Sequence, residues 1–596
     1  MQALAPGYHL HFVPDIQVSA LSSAASPHPA RLAGHALVET LIAQGVDTVF
    51  GVPGESFLAA LDGFHQHRER IRFVACRHEG GAAFMAEAHG KLTGRPGICF
   101  VTRGPGATNA SIGVHVAFQD STPMVLLVGQ VAADQRDREA FQEIDYRQMF
   151  GPGTLGLAKW VGEVQSADRL PEYLARAFRT AMQGRPGPVV LALPEDMLST
   201  PTAAPVLARV EPARAWPDPH VVAQFRQLLI KSERPFAIVG GSGWTAGAAA
   251  DFERFVEDWE IPVGCAFRYQ DVFDNRHRLY AGDVGIGINP ALAQRIRESD
   301  LLLAVGVRMG EMTTSGYTLP EAPVPRQALV HFHAGAEELG RVYQPTIALQ
   351  CSMAAIGDAL EDVDPPTPRS PVQGAQAHAE YLANLEAAPV EPMDLAVVIK
   401  TIEAMAPAGA IYTNGAGNYA GWLHRFHRYA SLQREGRTQL APTAGAMGYG
   451  VPAAIAANIL FPGRTAIAIA GDGDFLMTGQ ELATAVAHGA GRHGGKLVVV
   501  VVDNGTYGTI RMHQEREYPA RVSGTELTNP DFVQLARAYG WQAERVETTA
   551  GFEPAFGRAM RAGAPTLLHL LLPEDVSTSR TTLTALRAAA LKKQGG

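Results

Sequence analysis

Two short apolar runs in the C-terminal third of the chain constrain its fold more than any other feature. The first run, AIAIA at 466–470, stops at Gly471-Asp472-Gly473, and the second, at 497–502, stops at Asp503-Asn504-Gly505. A segment with helical character separates them. Parallel strands that are buried on both faces are continuously apolar in sequence. The stretch therefore predicts a β-α-β unit of a parallel sheet.

The segment between the two runs carries its own helix signals. Thr478, followed three residues later by Glu481, fits a capping box at the start of a helix. Gly489 is placed to end that helix, because glycine readily adopts the left-handed conformation found just past helix ends. We therefore predict that the side chain of each of these two residues, Thr478 and Glu481, accepts the backbone N–H of the other.

Asp472 and Asn504 follow the two apolar runs, so they end neighbouring parallel strands. Ligands of open α/β sheets bind outside the carboxyl ends of the strands. One carboxylate, one amide oxygen and a nearby backbone carbonyl form an all-oxygen half-site, which suits Mg²⁺ when diphosphate oxygens and water complete its octahedron. Gly-Asp-Gly alone is a common turn. Its pairing with Asp-Asn-Gly after a second buried strand is what indicates a metal and phosphate site.

Composition narrows the class of protein. The net charge of the 596 residues is 50 − 59 = −9, without a basic block, which argues against a nucleic-acid partner. No apolar run reaches the length of a membrane span, which argues against a membrane protein. The cysteines are widely spaced and form no CxxC pair, which argues against a zinc site or a disulfide framework and favours the cytoplasm. The four cysteines are Cys76, Cys99, Cys265 and Cys351.

Strand–loop–helix repeats divide the chain into three α/β domains, each predicted to be a doubly wound parallel sheet. The first domain closes with PGPVVLALPED and the third with APTLLHLLLPED, which suggests two related domains flanking a dissimilar one. The predicted segments are a flexible leader at 1–30, the first domain at 31–199, the central domain at 220–362, the third domain at 393–575 and a C-terminal tail at 576–596.

The segments GDGDFLMTGQELATA and TAGAMGYGVPAAIAA resemble the acetohydroxyacid (acetolactate) synthase group of thiamine diphosphate enzymes. The resemblance spans about residues 31–575. It implies a pyrimidine-binding, a central and a diphosphate-binding domain, and it implies thiamine diphosphate and Mg²⁺ as cofactors. The implied metal ligands are Asp472, Asn504 and the carbonyl of Thr506. Asp474 departs from the family pattern, which has serine after Gly-Asp-Gly.

The same resemblance implies the residues that hold the cofactor. The loop 415–419 matches the diphosphate loop, with Asn418 and Tyr419 in place of its glutamine and histidine. Met447 matches the bulky residue that props the cofactor into a V shape. Ordinary core packing is the alternative for a methionine, but the context GAMGYGVPAA favours the functional role. Gly445 would accept from the 4′-amino group. The implied cofactor contacts are Glu79, Gly415, Ala416, Gly417, Asn418, Tyr419, Gly445, Met447, Asp472, Gly473, Asp474, Asn504 and Thr506.

Glu79 lies where a predicted strand ends and a helix begins, and a carboxylate there can simply satisfy the helix N-terminus. The segment RHEGGAAFMAEAHGKLTGRPG resembles the family's stretch with the catalytic glutamate. That glutamate hydrogen-bonds N1′ of the aminopyrimidine, so that the 4′-nitrogen can remove the C2 proton. In the family this glutamate and the metal site come from different subunits. The resemblance therefore implies a homodimer or homotetramer.

The residues near the reacting carbon favour two different outcomes. VTRGPGATN and AFQE resemble the synthases and imply that Phe141 and Gln142 lie near that carbon. Glu55 stands where pyruvate decarboxylases carry an acid, and a buried acid there could donate a proton and release an aldehyde. The decarboxylases' His-His pair is missing. We predict decarboxylation of a 2-oxo acid such as pyruvate and ligation to a second carbonyl compound; a non-ligating decarboxylase, a C–C lyase and a catalytically silent member are the alternatives.

The sequence of the central domain indicates whether the chain binds FAD, because the synthases bind FAD in this domain. Gly306-Val307-Arg308 matches their motif, but Met309-Gly310 replaces an acidic pair. The segment HFHAGAEELGRVY has lost both aspartates of another FAD-contacting region. These losses argue against FAD.

Overall fold

The computed structural model describes residues 29–151, 156–361 and 363–594. Nearly all of the predicted leader, residues 1–28, lies outside this described part of the chain. Three six-stranded sheets dominate the structure, and every strand pair within them is parallel. This confirms the predicted fold class.

The first sheet has the strand order β3-β2-β4-β5-β7-β6. Its central strands β5 (MVLLVGQ) and β7 (PVVLALP) are buried along their whole length, as parallel strands covered by helices on both faces must be. The strands of the first domain are β1 Arg31–Leu32, β2 Thr48–Gly51, β3 Arg72–Ala75, β4 Gly97–Val101, β5 Met124–Gln130, β6 Trp160–Glu163, β7 Pro188–Pro194 and β8 Pro201–Thr202. Its helices are α1 Ala33–Ala43, α2 Leu58–Gln66, α3 Glu79–Thr93, α4 Gly104–Gln119, α5 Tyr146–Phe150, α6 Leu170–Met182 and α7 Glu195–Leu198.

The central sheet has the order β11-β10-β9-β12-β13-β14. Numbered from its own first strand this is 3-2-1-4-5-6, the order of dinucleotide-binding folds. Its strands are β9 Pro235–Val239, β10 Val263–Ala266, β11 Tyr280–Val284, β12 Leu301–Val305, β13 Ala328–His333 and β14 Ile347–Gln350. Its helices are α8 Pro219–Lys231, α9 Ala246–Asp258, α10 Pro290–Glu298, α11 Ile356–Leu360 and α12 Val372–Asn384.

The third sheet has the order β16-β15-β17-β18-β20-β19. Its strands are β15 Ile411–Asn414, β16 Gln439–Leu440, β17 Ala466–Gly471, β18 Leu497–Asp503, β19 Gln542–Val546 and β20 Thr566–Leu571. Its helices are α13 Leu395–Met405, α14 Ala420–Phe426, α15 Leu432–Glu435, α16 Gly450–Leu460, α17 Asp472–Leu476, α18 Leu482–Ala487, α19 Gly508–Glu517, α20 Phe532–Ala538 and α21 Thr549–Arg561. Helix α18 ends before Gly489, whose φ is +70°, so the predicted helix stop is confirmed.

The first and third sheets share one topology. Numbered within each domain, both run 2-1-3-4-6-5, whereas the central sheet differs. The short echo between the closing segments of the two domains therefore reflects a common strand order. The three sheets fall within the three predicted ranges, while the exact domain boundaries stay a prediction.

One hydrophobic core joins the first and third domains. It includes Phe84 and Val114 of the first domain together with Tyr449, Ile455 and Val499 of the third. The rings of Phe84 and Tyr449 meet edge to face, with centroids 5.5 Å apart. Packing of α3 against α16 thus fixes the two related sheets within one chain.

The predicted tail is folded onto the third domain. It forms a hairpin, β21 Val576–Thr578 with β22 Thr581–Thr582, and a helix, α22 Leu583–Gln594. Arg587 of this helix forms an ion pair with the buried Glu515 of α19. Within the described residues, no helix combines the length and apolarity needed to cross a bilayer.

Candidate active site

Three adjacent strands of the third sheet end at the same edge. Register pairs Asn414 of β15 with Ile469 of β17, and Gly471 of β17 with Val502 of β18. The loops 415–419, 472–474 and 504–506 therefore leave the sheet side by side, which is where ligands of such sheets bind. The predicted metal and diphosphate residues are brought together by this arrangement.

Asp472 begins helix α17 and is 3% exposed. Its carboxylate accepts backbone N–H groups from Gly473 at 2.9 Å and Gly505 at 3.0 Å, and the side-chain amide of Asn529 at 2.8 Å. None of these donors is charged. Burial raises the pKa of Asp472 to about 6. A buried carboxylate with only neutral donors suits a bound cation.

Asp503 stands beside Asp472 and shares a donor with it. The amide of Asn529 donates to Asp472 and, at 2.9 Å, to Asp503 Oδ1, while His569 Nε2 lies 2.8 Å from Asp503 Oδ2. Burial opposes ionisation of Asp503, but the hydrogen bond from His569 lowers its pKa below the usual value. Asn529 and His569 are distant in sequence, and no sequence motif pointed to either of them.

The donor set at this edge fits Mg²⁺. Among the described residues, no cluster of three or more His, Cys, Asp or Glu side chains could hold a metal. A metal must therefore use amide and carbonyl oxygens as well, as Asn504 and Thr506 offer. Asn504 Oδ1 now accepts the N–H of Thr506 at 3.3 Å, a long bond that is easily exchanged. The buried Oδ1 of Asn529 has no partner in the described chain.

The predicted diphosphate loop, 415–419, and the loop 443–447, named the pyrimidine loop here because it carries Gly445 and Met447, border one cavity. Its volume is about 970 Å³, and Gly417, Asn418 and Gly445 contribute to its lining. Gly445 has φ +67°, and a Cβ added to it would meet no atom within 4 Å, so open space lies beside its Cα. Asn418 accepts a hydrogen bond from Thr509 at 2.9 Å. Met447, half-buried, precedes helix α16 on the same loop.

Asp474 contacts the predicted diphosphate loop, 415–419, and not the predicted metal ligands Asn504 and Thr506. It is 3% exposed and accepts a hydrogen bond from the Tyr419 hydroxyl at 2.8 Å. Burial raises the pKa of Asp474 to about 6. Gly473 packs against Tyr507, whose ring lies 2.7 Å from a Cβ placed on that glycine. Helix α17 therefore presents Asp472 and Asp474 to two different loops.

A buried junction of all three domains holds the pyrimidine loop. Asp120, at the C-terminus of α4, forms an ion pair with Lys91 and accepts the backbone N–H of Thr443 at 2.7 Å. Its backbone carbonyl accepts the hydroxyls of Ser242 at 3.1 Å and Tyr269 at 2.6 Å from the central domain. These bonds satisfy the end of a helix and fix residues 443–447 against the first domain.

The central domain lines the far part of the same cavity. Arg268 and Arg308 reach it, but their guanidinium groups donate to the carbonyls of Pro442 and, at 2.6 Å, Gln119. Both arginines are therefore engaged in contacts between domains. Burial raises the pKa of Asp283 in this lining to about 7. The argument against FAD stays a prediction.

Glu79 occupies the corresponding edge of the first sheet. It opens helix α3, as predicted, and accepts the side-chain amide of Asn109 at 2.9 Å. Its side chain is partly exposed. Of the described residues, those that line the 970 Å³ cavity include neither Glu79 nor the predicted metal ligands Asp472, Asn504 and Thr506. A single chain thus brings Asp472 and Asn504 to the edge of the third sheet, whereas Glu79 lies at the edge of the first sheet.

Glu481 does not form the predicted capping box. Its buried carboxylate accepts backbone N–H groups of the first domain, from His78 at 2.9 Å and Arg77 at 3.2 Å, and the hydroxyl of Thr484 at 2.5 Å. Thr478 instead donates to the carbonyl of Gly448 at 2.7 Å. The prediction was wrong because an interdomain partner outcompeted the local one. Glu481 fixes the loop that carries Glu79.

Glu55 is not the buried acid that the sequence led us to expect. Its side chain is 65% exposed in the chain and forms an ion pair with Arg103 at 2.6 Å. Phe141 is 72% exposed and lies beside the same guanidinium. The half-buried Gln142 has φ +64°, and its carbonyl packs against Gly104.

Comparison with known proteins identifies the family. Models of the thiamine pyrophosphate enzymes match three parts of the chain: the N-terminal TPP binding domain at 31–149, the central domain at 222–360 and the C-terminal TPP binding domain at 415–570. The acetolactate synthase isozyme 2 large subunit of Escherichia coli is 31% identical over 542 residues, covering 90% of this chain and 95% of that protein.

Two further relatives have the same character. The acetolactate synthase large subunit of Corynebacterium glutamicum is 31% identical, covering 92% of this chain and 88% of its own. The mitochondrial acetolactate synthase catalytic subunit of Saccharomyces cerevisiae is 30% identical, covering 91% and 81%. With three matching domains and relatives alike over nearly its whole length, the chain belongs to the thiamine diphosphate enzymes and is an acetolactate synthase-like enzyme.

Proposed function

We propose that the enzyme decarboxylates a 2-oxo acid, with pyruvate as the first candidate, and joins the remaining acyl unit to a second carbonyl compound. The relatives named acetolactate synthase support this reaction class. The observation that carries ligation is the ion pair between Glu55 and Arg103. Arg103 holds the carboxylate of Glu55 in an exposed ion pair instead of leaving it as a buried acid near the reacting carbon. We take this arrangement to favour capture of the acyl unit by a carbonyl acceptor over its protonation.

Asp472, Asn504 and the Thr506 carbonyl would hold Mg²⁺, and the loop 415–419 would hold the diphosphate of the cofactor. When bound, thiamine diphosphate supplies the electron sink for the acyl carbanion. Glu79 would hold a proton at N1′ of the pyrimidine, and Gly445 would accept from the 4′-amino group. Met447 would set the bend of the cofactor. Gln142, with Phe141, would face the substrate.

The active enzyme is proposed to be a homodimer or homotetramer with active sites between subunits. Glu79 begins a helix of the first domain and Asp472 a helix of the third, and the two do not line the 970 Å³ cavity of one chain together. Large apolar side chains are exposed near both edges: Phe141 at 72%, Ile112 at 40% and Met477 at 47%. Exposed apolar groups of this kind mark interaction surfaces when they cluster. A second copy of the chain would cover them and complete each site.

A non-ligating 2-oxo acid decarboxylase or a C–C lyase is the second candidate, and the presence of an acid at position 55 is the observation that favours it. Two further expectations accompany the main proposal. The four free cysteines are all buried, which is consistent with the proposed cytoplasmic location. The purified protein is expected to be colourless, and stoichiometric flavin absorbance would contradict the argument against FAD.

Product analysis tests the function directly. Purified enzyme with thiamine diphosphate and Mg²⁺ is incubated with pyruvate and with a panel of other 2-oxo acids, and products are identified by NMR and mass spectrometry. Acetolactate as the main product from pyruvate supports ligation. Acetaldehyde as the main product supports the decarboxylase. If the enzyme turns over only another 2-oxo acid, that acid and not pyruvate is the donor substrate.

A further inference from the structure

Two buried polar side chains beside the predicted diphosphate loop touch each other. The Tyr419 hydroxyl donates to Asp474 Oδ2 at 2.8 Å, and the side chains are 8% and 3% exposed. The hydrogen bond joins residues that lie 55 positions apart in sequence.

The pair connects three segments around the diphosphate loop. Asp474 Oδ1 accepts the N–H of Gly448 at 2.6 Å and, more weakly, that of Ala416 at 3.4 Å. The Tyr419 hydroxyl in turn accepts the N–H of Gly415 at 3.0 Å. One carboxylate and one phenol thus fix the loop after β15, the turn before α16 and the start of α17 relative to one another.

The packing around the pair depends on glycine. A side chain at Gly415 would clash with the Asp474 carboxylate. A Cβ at Gly417 would lie 2.7 Å from the Tyr419 ring, and one at Gly471 would lie 3.0 Å from it. The backbone of the diphosphate loop therefore rests directly on the two side chains, so a change in either is transmitted to the loop.

Backbone N–H groups in such a loop are the donors that bind phosphate oxygens. Donors that are fixed in advance bind more tightly, because ordering them costs no free energy at the moment of binding. We propose that Asp474 and Tyr419 form a positioning pair that sets the affinity of the third domain for thiamine diphosphate by holding the diphosphate loop in its binding conformation. The proposal rests on the proposed cofactor site but not on the reaction that the site performs.

The test measures cofactor affinity rather than turnover. Thiamine diphosphate is titrated calorimetrically into cofactor-free protein at saturating Mg²⁺. Tyr419→Phe removes the hydroxyl and is expected to raise Kd about tenfold, the effect of one lost hydrogen bond to a charged group. Asp474→Ala removes all three acceptor bonds and is expected to raise Kd about a hundredfold. The double variant is expected to match Asp474→Ala, because paired residues are not additive.

Matched controls separate positioning from general stability. Tyr412→Phe changes a buried tyrosine on β15, the strand that leads to the loop, whose ring packs on His427 and Tyr429 instead. Its Kd is expected to stay within about twofold of wild type. Asp474→Asn keeps the shape and an acceptor for Tyr419, and is expected to weaken binding less than Asp474→Ala. Melting of each cofactor-free variant confirms that it is folded.

Several outcomes would overturn the proposal. An unchanged Kd for Tyr419→Phe would show that the hydroxyl does not act on the loop. Tighter binding by Asp474→Asn would show that the carboxylate merely repels the diphosphate. Fully additive effects in the double variant would show two independent residues. Wild-type protein that binds no thiamine diphosphate would overturn the proposed function as well, whereas the other three results would leave that function intact.

Discussion

The first and third domains have the same strand order, yet their active-site edges are built differently. At the third sheet Asp472 is 3% exposed and accepts three N–H groups. At the first sheet Glu79 is partly exposed and accepts one side-chain amide, from Asn109. The same topology therefore supports two kinds of edge. The proposed metal ligand Asp472 is surrounded by donors from its own chain, whereas Glu79 has few contacts within its chain. We infer that the edge with Glu79 is completed by a second copy of the chain, whereas the edge with Asp472 is formed within one chain.

Removing the buried carboxylate should have the largest effect. Asp472→Ala is expected to abolish stabilisation by thiamine diphosphate with Mg²⁺, which for wild type is about 2.7 kcal/mol at a hundredfold excess over Kd. Thermal melting with and without both ligands measures this. Asp531→Ala is the control, since Asp531 caps α20 in the same domain. It should lower the melting temperature of the ligand-free protein, because the helix loses its N-cap, yet keep the shift that the ligands cause. An unchanged shift in Asp472→Ala would contradict the metal assignment.

The edge with Glu79 should matter for proton movement. Glu79→Gln keeps the size of the side chain but cannot hold a proton at N1′ in the same way. Exchange of the C2 proton in bound cofactor is expected to slow by about 10²–10⁴-fold, as followed by NMR in deuterated buffer. Glu172→Gln, on the exposed face of α6 where Glu172 pairs with Arg169, should exchange at the wild-type rate. If Glu79→Gln also exchanged the C2 proton at the wild-type rate, the carboxylate of Glu79 would serve only to satisfy the N-terminus of helix α3.

Mixing the two variants tests whether the edges meet across subunits. In a mixed dimer of Glu79→Gln and Asp472→Ala chains, one site would carry both changes and the other neither. A mixed dimer purified after co-expression with two affinity tags should then recover roughly half of wild-type activity from two inactive parents, by the symmetry of a twofold dimer. An activity assay measures the recovery. No recovery in a purified mixed dimer would place both residues of each site in one chain.

The smallest expected effect concerns Glu55. Because Glu55 is ion-paired with Arg103 and exposed, Glu55→Gln should change rates far less than the 10²–10⁴-fold typical of a general acid. The ratio of acetaldehyde to acetolactate should therefore change little, and product analysis after incubation with pyruvate measures this. The alternative of a decarboxylase would gain support if acetaldehyde dominated in wild type and collapsed in the variant.

The parallel sheets could be predicted from the sequence because their signal is local. The central buried strands, such as β18 with its LVVVVVD, are apolar over most of their length and stop at a polar turn. Strand ends in a parallel sheet share one edge, so the placing of Asp472, Asn504 and the loop 415–419 followed from the runs that precede them. The prediction of a capping box was wrong although Thr478 and Glu481 are also close in sequence. Their side chains bond instead to Gly448 and His78, which lie far away along the chain.

The three-sheet architecture, the meeting of Asp472 and Asn504 at one sheet edge and the family could all be read from the chain, since each depends on short sequence motifs. The role of that edge in binding a metal stays a prediction. Contacts between distant segments could not be read from the chain, and they emerged only from the folded structure. It joined Asp474 to Tyr419, placed Asn529 between Asp472 and Asp503, and paired Glu55 with Arg103. Buried polar groups take whichever partner the packing of helices and sheets brings within reach, and that choice has no periodic signature in the sequence.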